Sequence, residues 1–349
     1  MEKHQYVKEI SLGDYVDNPF VVIEKKMVEF TSQKRAGDKF MLLRLQDKTG
    51  TIKAVLWENA EEIEPLIKED RIVWVRGKIQ AYKGLQINIE QIQTVKSDSI
   101  DLSPFVPVSS VGIDTLKTKT MEQIEGVKND YLKKLLQLFF NDKKFCHAYF
   151  QVPAGKKIHH NYLGGLAEHN LEIIQLLKPL LRLYPQRLDW SILVSGAILH
   201  DIGKVFEYDL TSPSFQMTHK GKLLGHITLG QELISSKIKE IENFPESLSL
   251  ELRHMILSHH GEKEWGSPEI PKTMNALCLF YSDLVSSRLN QVNNLHIQLD
   301  EAQRDTGIEE DGWTQYDPLL GRAFFHPDSL REAVELQHDI PFMDDEFER

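Results

Sequence analysis

The hydrophobic pattern of the chain changes its period near residue 110. Between about Phe20 and Val95 it is a strand pattern: a β-branched run from Phe20 to Phe30, then Phe40 to Leu45, Thr51 to Trp57, Arg71 to Ile79 and Leu85 to Ile89. Turns separate them at Gly37, at Asp47-Lys48-Thr49-Gly50 and at Tyr82-Lys83-Gly84. Between the third and fourth runs, Ala60, Ile63, Leu66 and Ile67 recur at helical spacing within Glu58 to Lys68. Five strands with a helix between the third and fourth is the order of an OB-fold barrel. From Thr115 onward the period becomes helical, beginning with Met121, Ile124, Val127, Leu132, Leu135, Leu136 and Phe139.

The expected fold is therefore multidomain: an all-β OB-fold barrel over residues 1–97, then an all-α domain over 115–330. The Ser-, Pro- and Asp-rich stretch 98–114 reads as a linker, and 331–349 reads as an acidic tail. A length of 349 residues suits two domains.

The formal net charge of -11 argues against coating of nucleic acid by bulk charge, so contact with a polynucleotide must be local. Two cysteines without CxxC spacing, Cys146 and Cys278, supply neither a disulfide framework nor a thiolate zinc site. The first residues lack an apolar signal core, and no stretch approaches about 18 uninterrupted apolar residues. A cytoplasmic protein with no membrane association is expected, and a homo-oligomer is left open.

The run Phe40 to Gly50, continued by Thr51 to Trp57, resembles the nucleic-acid-binding OB domains of the tRNA-anticodon type over roughly 80 residues. Such barrels hold single strands by stacking bases on aromatics in a basic groove. Arg44, Lys53, Trp57, Arg76, Tyr82 and Lys83 are the candidates here, with Phe40 and Trp74 beside them. Most barrel aromatics belong to the core, and Tyr82 and Lys83, in a turn, escape that objection best.

The helical part is rich in metal-ligating side chains. His169 lies three residues after Leu166 and four before Ile173, on an inward stripe of a helix expected from Tyr162 to about Leu183. His200 and Asp201 close an apolar helix expected from Trp190 to about Val205, where Gly196 and Ala197 are expected to clear space beside the imidazole. Adjacent helical residues point about 100° apart, so His200 and Asp201 share an ion only in a groove to which other helices bring ligands. His226, the pair His259-His260, and Asp283, four residues after Leu279, are the further candidates. Nitrogen and oxygen donors without a thiolate suit Mn, Fe, Mg or a catalytic Zn ion. Asp201, with two carboxylate oxygens, is the natural bridge if two ions bind.

The series His169, His200-Asp201, His226, His259-His260, Asp283 resembles the HD superfamily of metal-dependent phosphohydrolases. Three segments narrow the resemblance: His159 to His169, Leu223 to His226, and Leu257 to Pro268 are similar to the YhaM-type 3'-5' exoribonucleases, which also join an OB domain to an HD domain. The chain departs from that family after Asp283. There the family carries an Asp-Asp-Leu-Asp type of run, and this chain reads Leu284-Val285-Ser286-Ser287-Arg288.

The resemblance implies a metal-dependent 3'-5' exonuclease that acts on single-stranded RNA, with DNA as a further substrate. His169, His200, Asp201, His226, His259, His260 and Asp283 would hold one or two divalent ions. Mn2+ is expected first, with Mg2+, Fe2+, Co2+ and Zn2+ as alternatives. Asp201 and Lys204 would form the catalytic pair, with Lys204 placed to meet a phosphate oxygen. The competing readings are a phosphohydrolase of small or cyclic nucleotides, a non-catalytic nucleic-acid-binding protein, and a barrel that binds protein.

Overall fold

The computed structural model describes residues 4–30, 37–82, 84–95, 102–155, 159–306 and 312–326. Lys83 and the acidic tail lie outside them, as do 307–311 of the segment before the tail. No helix among the described residues is long and apolar enough to cross a membrane.

Five strands, β1 (Tyr15–Glu29), β2 (Lys39–Asp47), β3 (Gly50–Leu56), β4 (Ile72–Ala81) and β5 (Leu85–Thr94), close into a barrel in the order β1-β2-β3-β5-β4. All neighbours are antiparallel except β3 and β5. Alternation does the sorting: Met41, Leu43 and Leu45 of β2 point into the barrel core, while Leu42 and Arg44 face outward. The short helix α1 (Ala60–Ile63) precedes β4, as the spacing predicted.

The helical domain contains α2 (Ile113–Glu125), α3 (Asp130–Phe140), α4 (Lys143–Tyr149), α5 (Gly165–Leu183), α6 (Trp190–Leu199), α7 (Lys204–Glu207), α8 (His219–Lys239), α9 (Glu246–Ser258) and α10 (Met274–Thr306). Side-chain caps start several of them: Asn129 accepts from the amides of Tyr131 and Leu132, and Asp189 from that of Ile192.

Two expectations need correction here. The helix expected from Trp190 to Val205 ends at Leu199, and His200 to Gly203 form a turn before α7. The small residue Gly196 does not open space for the imidazole. A Cβ there would lie 2.2 Å from Met255 Cε, so its role is to admit Met255 of α9 against α6.

The connector between the domains is packed rather than merely spanning. Phe105 and Val106 are both 1% exposed and join one hydrophobic core with Val21 and Ile72 of the barrel and Leu116 and Leu166 of the helical domain. Lys48 donates its backbone N–H to the Pro104 carbonyl at 3.1 Å, and Leu163 donates to that of Pro107 at 2.9 Å. Gln216 donates across the domains to Asp70 at 2.5 Å.

Candidate metal centre and nucleic-acid interface

Five segments bring candidate ligands to one place. Helix α5 carries His169 on its inward face, the turn after α6 carries His200 and Asp201, the residues after α9 carry His259 and His260, and α10 carries Asp283. His226 arrives by a break in α8. Gly225 takes φ 70° and ψ 161°, a conformation in which a side chain would be strained, and the helix restarts with His226 turned toward Asp201.

The ligand atoms fall into overlapping sets, each within 4.8 Å of one another: His169, His200 and Asp283; His200, Asp201 and His259; His226, His259 and His260. Asp201 joins them. Its Oδ2 lies 3.3 Å from His200 Nε2, and its Oδ1 lies 3.3 Å from His226 Nε2 and 3.5 Å from His259 Nε2. All seven residues named from the sequence as ligands therefore converge.

Second partners set the tautomers. His200 Nδ1 stands 2.9 Å from the Ala197 carbonyl and His259 Nδ1 2.7 Å from that of Ile256, so each Nδ1–H donates and each Nε2 keeps its lone pair. His226 Nδ1 lies 3.2 Å from Glu207 Oε1. His169 Nδ1 lies 2.9 Å from Ser286 Oγ, which itself donates to Glu172. The Nε2 atoms of His169, His200, His226 and His259 and the Oδ1 of Asp201 are buried with no hydrogen bond of their own. Buried polar atoms are rarely left so, and several converging on one space fit the demand of a divalent cation.

The electrostatics agree with that fit. Burial would raise the Asp201 carboxyl, but Lys204 and His200 outweigh it and hold the group well below the usual carboxylate range. Burial would also raise Asp283, which His169 holds down in the same way. Burial pushes His169, His259 and His260 down, the last to about 3, so these rings offer lone pairs rather than protons. His200 runs the other way, because Asp201 more than offsets its burial. Lys204 is buried and donates to Asp201 Oδ2 at 2.5 Å and to the Ala154 carbonyl, so its ammonium is engaged inside the site.

Several contributors were not singled out in the sequence. His159 lines the same cavity as Asp201 and Lys204, and His160 Nε2 stands 3.1 Å from Glu172 Oε1. The His-His pair ten residues before His169 was a visible signal. Glu172, one turn after His169, was visible only as an ordinary helical glutamate. Ser286 gave no signal, since its role depends on α10 crossing α5.

The barrel candidates divide into groups. Arg44 and Lys53 are exposed and directly opposed across β2 and β3. Trp57 belongs to an aromatic cluster, with Phe40 at 4.8 Å and Phe30 at 5.8 Å between ring centroids. Tyr82 is exposed at the β4–β5 turn. Arg76 lies elsewhere, on β4, where it pairs with Asp17 at 2.9 Å while Trp74 donates to the same carboxylate. Arg76 holds the Asp17 carboxyl below its ordinary value.

Comparison with known proteins agrees with this architecture. Residues 21–95 match the family model of an OB-fold nucleic acid binding domain, and residues 166–288 match that of the HD domain. The chain is 36% identical over 260 residues to a protein of Geobacillus sp. (strain WCH70) described as 3'-5' exoribonuclease YhaM, covering 74% of this chain and 78% of that one. A domain of replication protein A from Methanococcus maripaludis is 24% identical, with a TM-score of 0.22 over 26% of this chain and 94% of its own. A solution structure of the second OB-fold domain of that protein is 26% identical, with a TM-score of 0.21 over 28% of this chain and 98% of its own. The HD domain and its ligand clusters mark the chain as binding a divalent metal.

Proposed function

Because the chain belongs to the YhaM family of 3'-5' exoribonucleases, we propose that it removes nucleotides from the 3' end of single-stranded RNA in the cytoplasm. The barrel, residues 1–97, captures the strand, and the helical domain, residues 115–330, hydrolyses it. The observation that carries this reading is the convergence of five imidazoles and two carboxylates on one site, with the Nε2 atoms of His169, His200, His226 and His259 and the Oδ1 of Asp201 buried and without a hydrogen bond.

The residues divide the work. His169, His200, Asp201 and Asp283 would hold one divalent ion, and His226, His259 and His260, sharing Asp201, a second; Mn2+ is our first assignment. Bound there, such ions lower the pKa of water and neutralise charge on a phosphoryl group. The protein's own contribution is preorganisation. The carbonyls of Ala197 and Ile256 and the side chains of Glu207 and Ser286 orient the rings before substrate arrives. Lys204 compensates the buried charge of Asp201 and stands at the cavity wall, where it also faces an incoming phosphate. On the barrel, Arg44 and Lys53 supply charge, and Trp57 and Tyr82 supply faces for bases.

The test uses single-stranded RNA labelled at the 5' or the 3' end, incubated with Mn2+ and either wild type or Asp201→Ala. Progressive shortening of 5'-labelled RNA, immediate release of the 3' label, and loss of both in the variant are expected. Intact RNA with every divalent metal tried would remove the exonuclease reading, and cleavage of cyclic or mononucleotides alone would favour a small-nucleotide phosphohydrolase.

A further inference from the structure

The cavity at the metal centre has a second wall that metal binding does not use. It encloses about 260 Å3 and has the ligands Asp201, His259, His260 and Asp283 on one side. Trp265, Phe280, Leu284, Ser287, Arg288 and Gln291 line the rest of it. Resting on the exonuclease reading, we propose that this wall is the seat of the strand's 3'-terminal nucleotide and of the 5'-mononucleotide it yields, with Trp265 stacking on the base and Arg288 meeting phosphate.

The aromatic half of the wall is fixed relative to the ligands. Directly after His260, Gly261 takes φ +80°, and a Cβ there would lie 2.1 Å from Phe280 Cε2, so the ring packs flush against the backbone of the turn. A short turn follows, with the Trp265 amide donating to the Glu262 carbonyl at 3.1 Å and Ser267 Oγ donating to that of Leu257 at 3.2 Å. Trp265 stands on this support, its ring centroid 6.2 Å from that of Phe280, and remains 52% exposed. An indole half open to water beside a buried polar centre has an unused face, and base stacking uses such a face without regard to base identity.

The polar half comes from α10. Ser287 lies one turn beyond the ligand Asp283, and Arg288 and Gln291 continue along the same side of the helix. Arg288 donates to Gln291 Oε1 at 3.3 Å, and among the described residues no carboxylate pairs with it. A guanidinium next to a metal centre, held by a neutral amide, is available to an anion.

The experiment titrates the Mn2+-loaded full chain with AMP, UMP, GMP and CMP, and with ribose 5-phosphate as the ligand lacking a base. Wild type should bind all four mononucleotides more tightly than ribose 5-phosphate, by roughly ten- to hundredfold as stacking of one base implies. Trp265→Ala should abolish that difference, Trp265→Phe should keep most of it, and Arg288→Gln should weaken all five ligands together. The idea is overturned if wild type shows no preference for ligands with a base, or if Trp265→Ala keeps the preference. Those titrations need no RNA cleavage, so a wild type inactive on RNA would remove the exonuclease reading while the mononucleotide binding still decides the fate of this site.

Discussion

Ser286 of α10 donates its hydroxyl to Glu172 of α5 at 2.5 Å and stands 2.9 Å from the Nδ1 of His169. The hydroxyl is thus committed as donor to the carboxylate, and its oxygen accepts from His169. That leaves His169 Nε2 as the ring atom able to offer a lone pair to a metal ion. The Glu172 carboxylate thus acts on the ring through one intervening hydroxyl.

Glu172→Gln and Ser286→Ala should each lower metal affinity, by roughly 10- to 100-fold as removal of an outer-shell partner does. Ser286→Asp, which restores an acidic residue on α10, should not rescue affinity, because it sets a second carboxylate against Glu172. Calorimetric titration of metal-free protein with Mn2+ measures all three. Affinity equal to wild type in Glu172→Gln would show that the contact is incidental.

Lys204 and Asp201 form a buried pair, with side chains 8% and 4% exposed. In metal-free protein Lys204→Met leaves the Asp201 charge uncompensated, at a cost of about 3–5 kcal/mol. A bound cation replaces the missing charge. The gain in Tm on adding metal should therefore be larger in the variant than in wild type, and thermal unfolding with and without metal reads that difference directly.

His260 carries the clearest pH signature. Burial holds its pKa at about 3, against about 6.5 in an unfolded chain. A folded-state pKa that is depressed contributes stability present above 6.5 and lost as pH falls toward 3, since the unfolded chain takes up the proton first. Metal-free wild type should lose stability across that window, with a slope of at most about 1.4 kcal/mol per pH unit from this ring. His260→Gln should show a shallower decline, and identical pH profiles of Tm would refute the assignment.

Phe105 holds the domains together. Truncation to Ala removes a ring that is 1% exposed, at a cost of about 3–5 kcal/mol. Because that ring belongs to the core uniting Val21 and Ile72 with the helical domain, its loss should separate barrel and helical unfolding into two transitions by calorimetry. A single transition lowered as a unit would place the coupling elsewhere.

The sequence by itself determined the strand pattern and the change from β to helical structure, because alternation and helical spacing are local properties of a chain, and by residue type it offered the seven candidate ligands. His169 and Asp283 could be placed on inward faces from their neighbours alone, and His200-Asp201 announced itself by residue type. Tertiary structure decided the rest. Two oxygens of Asp201 divide between His200 and the pair His226 and His259 because α6 ends in a turn and α8 breaks at Gly225. Arg76, a candidate groove cation, pairs with Asp17 on a strand that is its neighbour only once the barrel closes. Ser286, anonymous in the sequence, became the bridge between the His169 ring and Glu172 one turn along α5, because hydrogen bonds between α5 and α10 exist only where the helices cross.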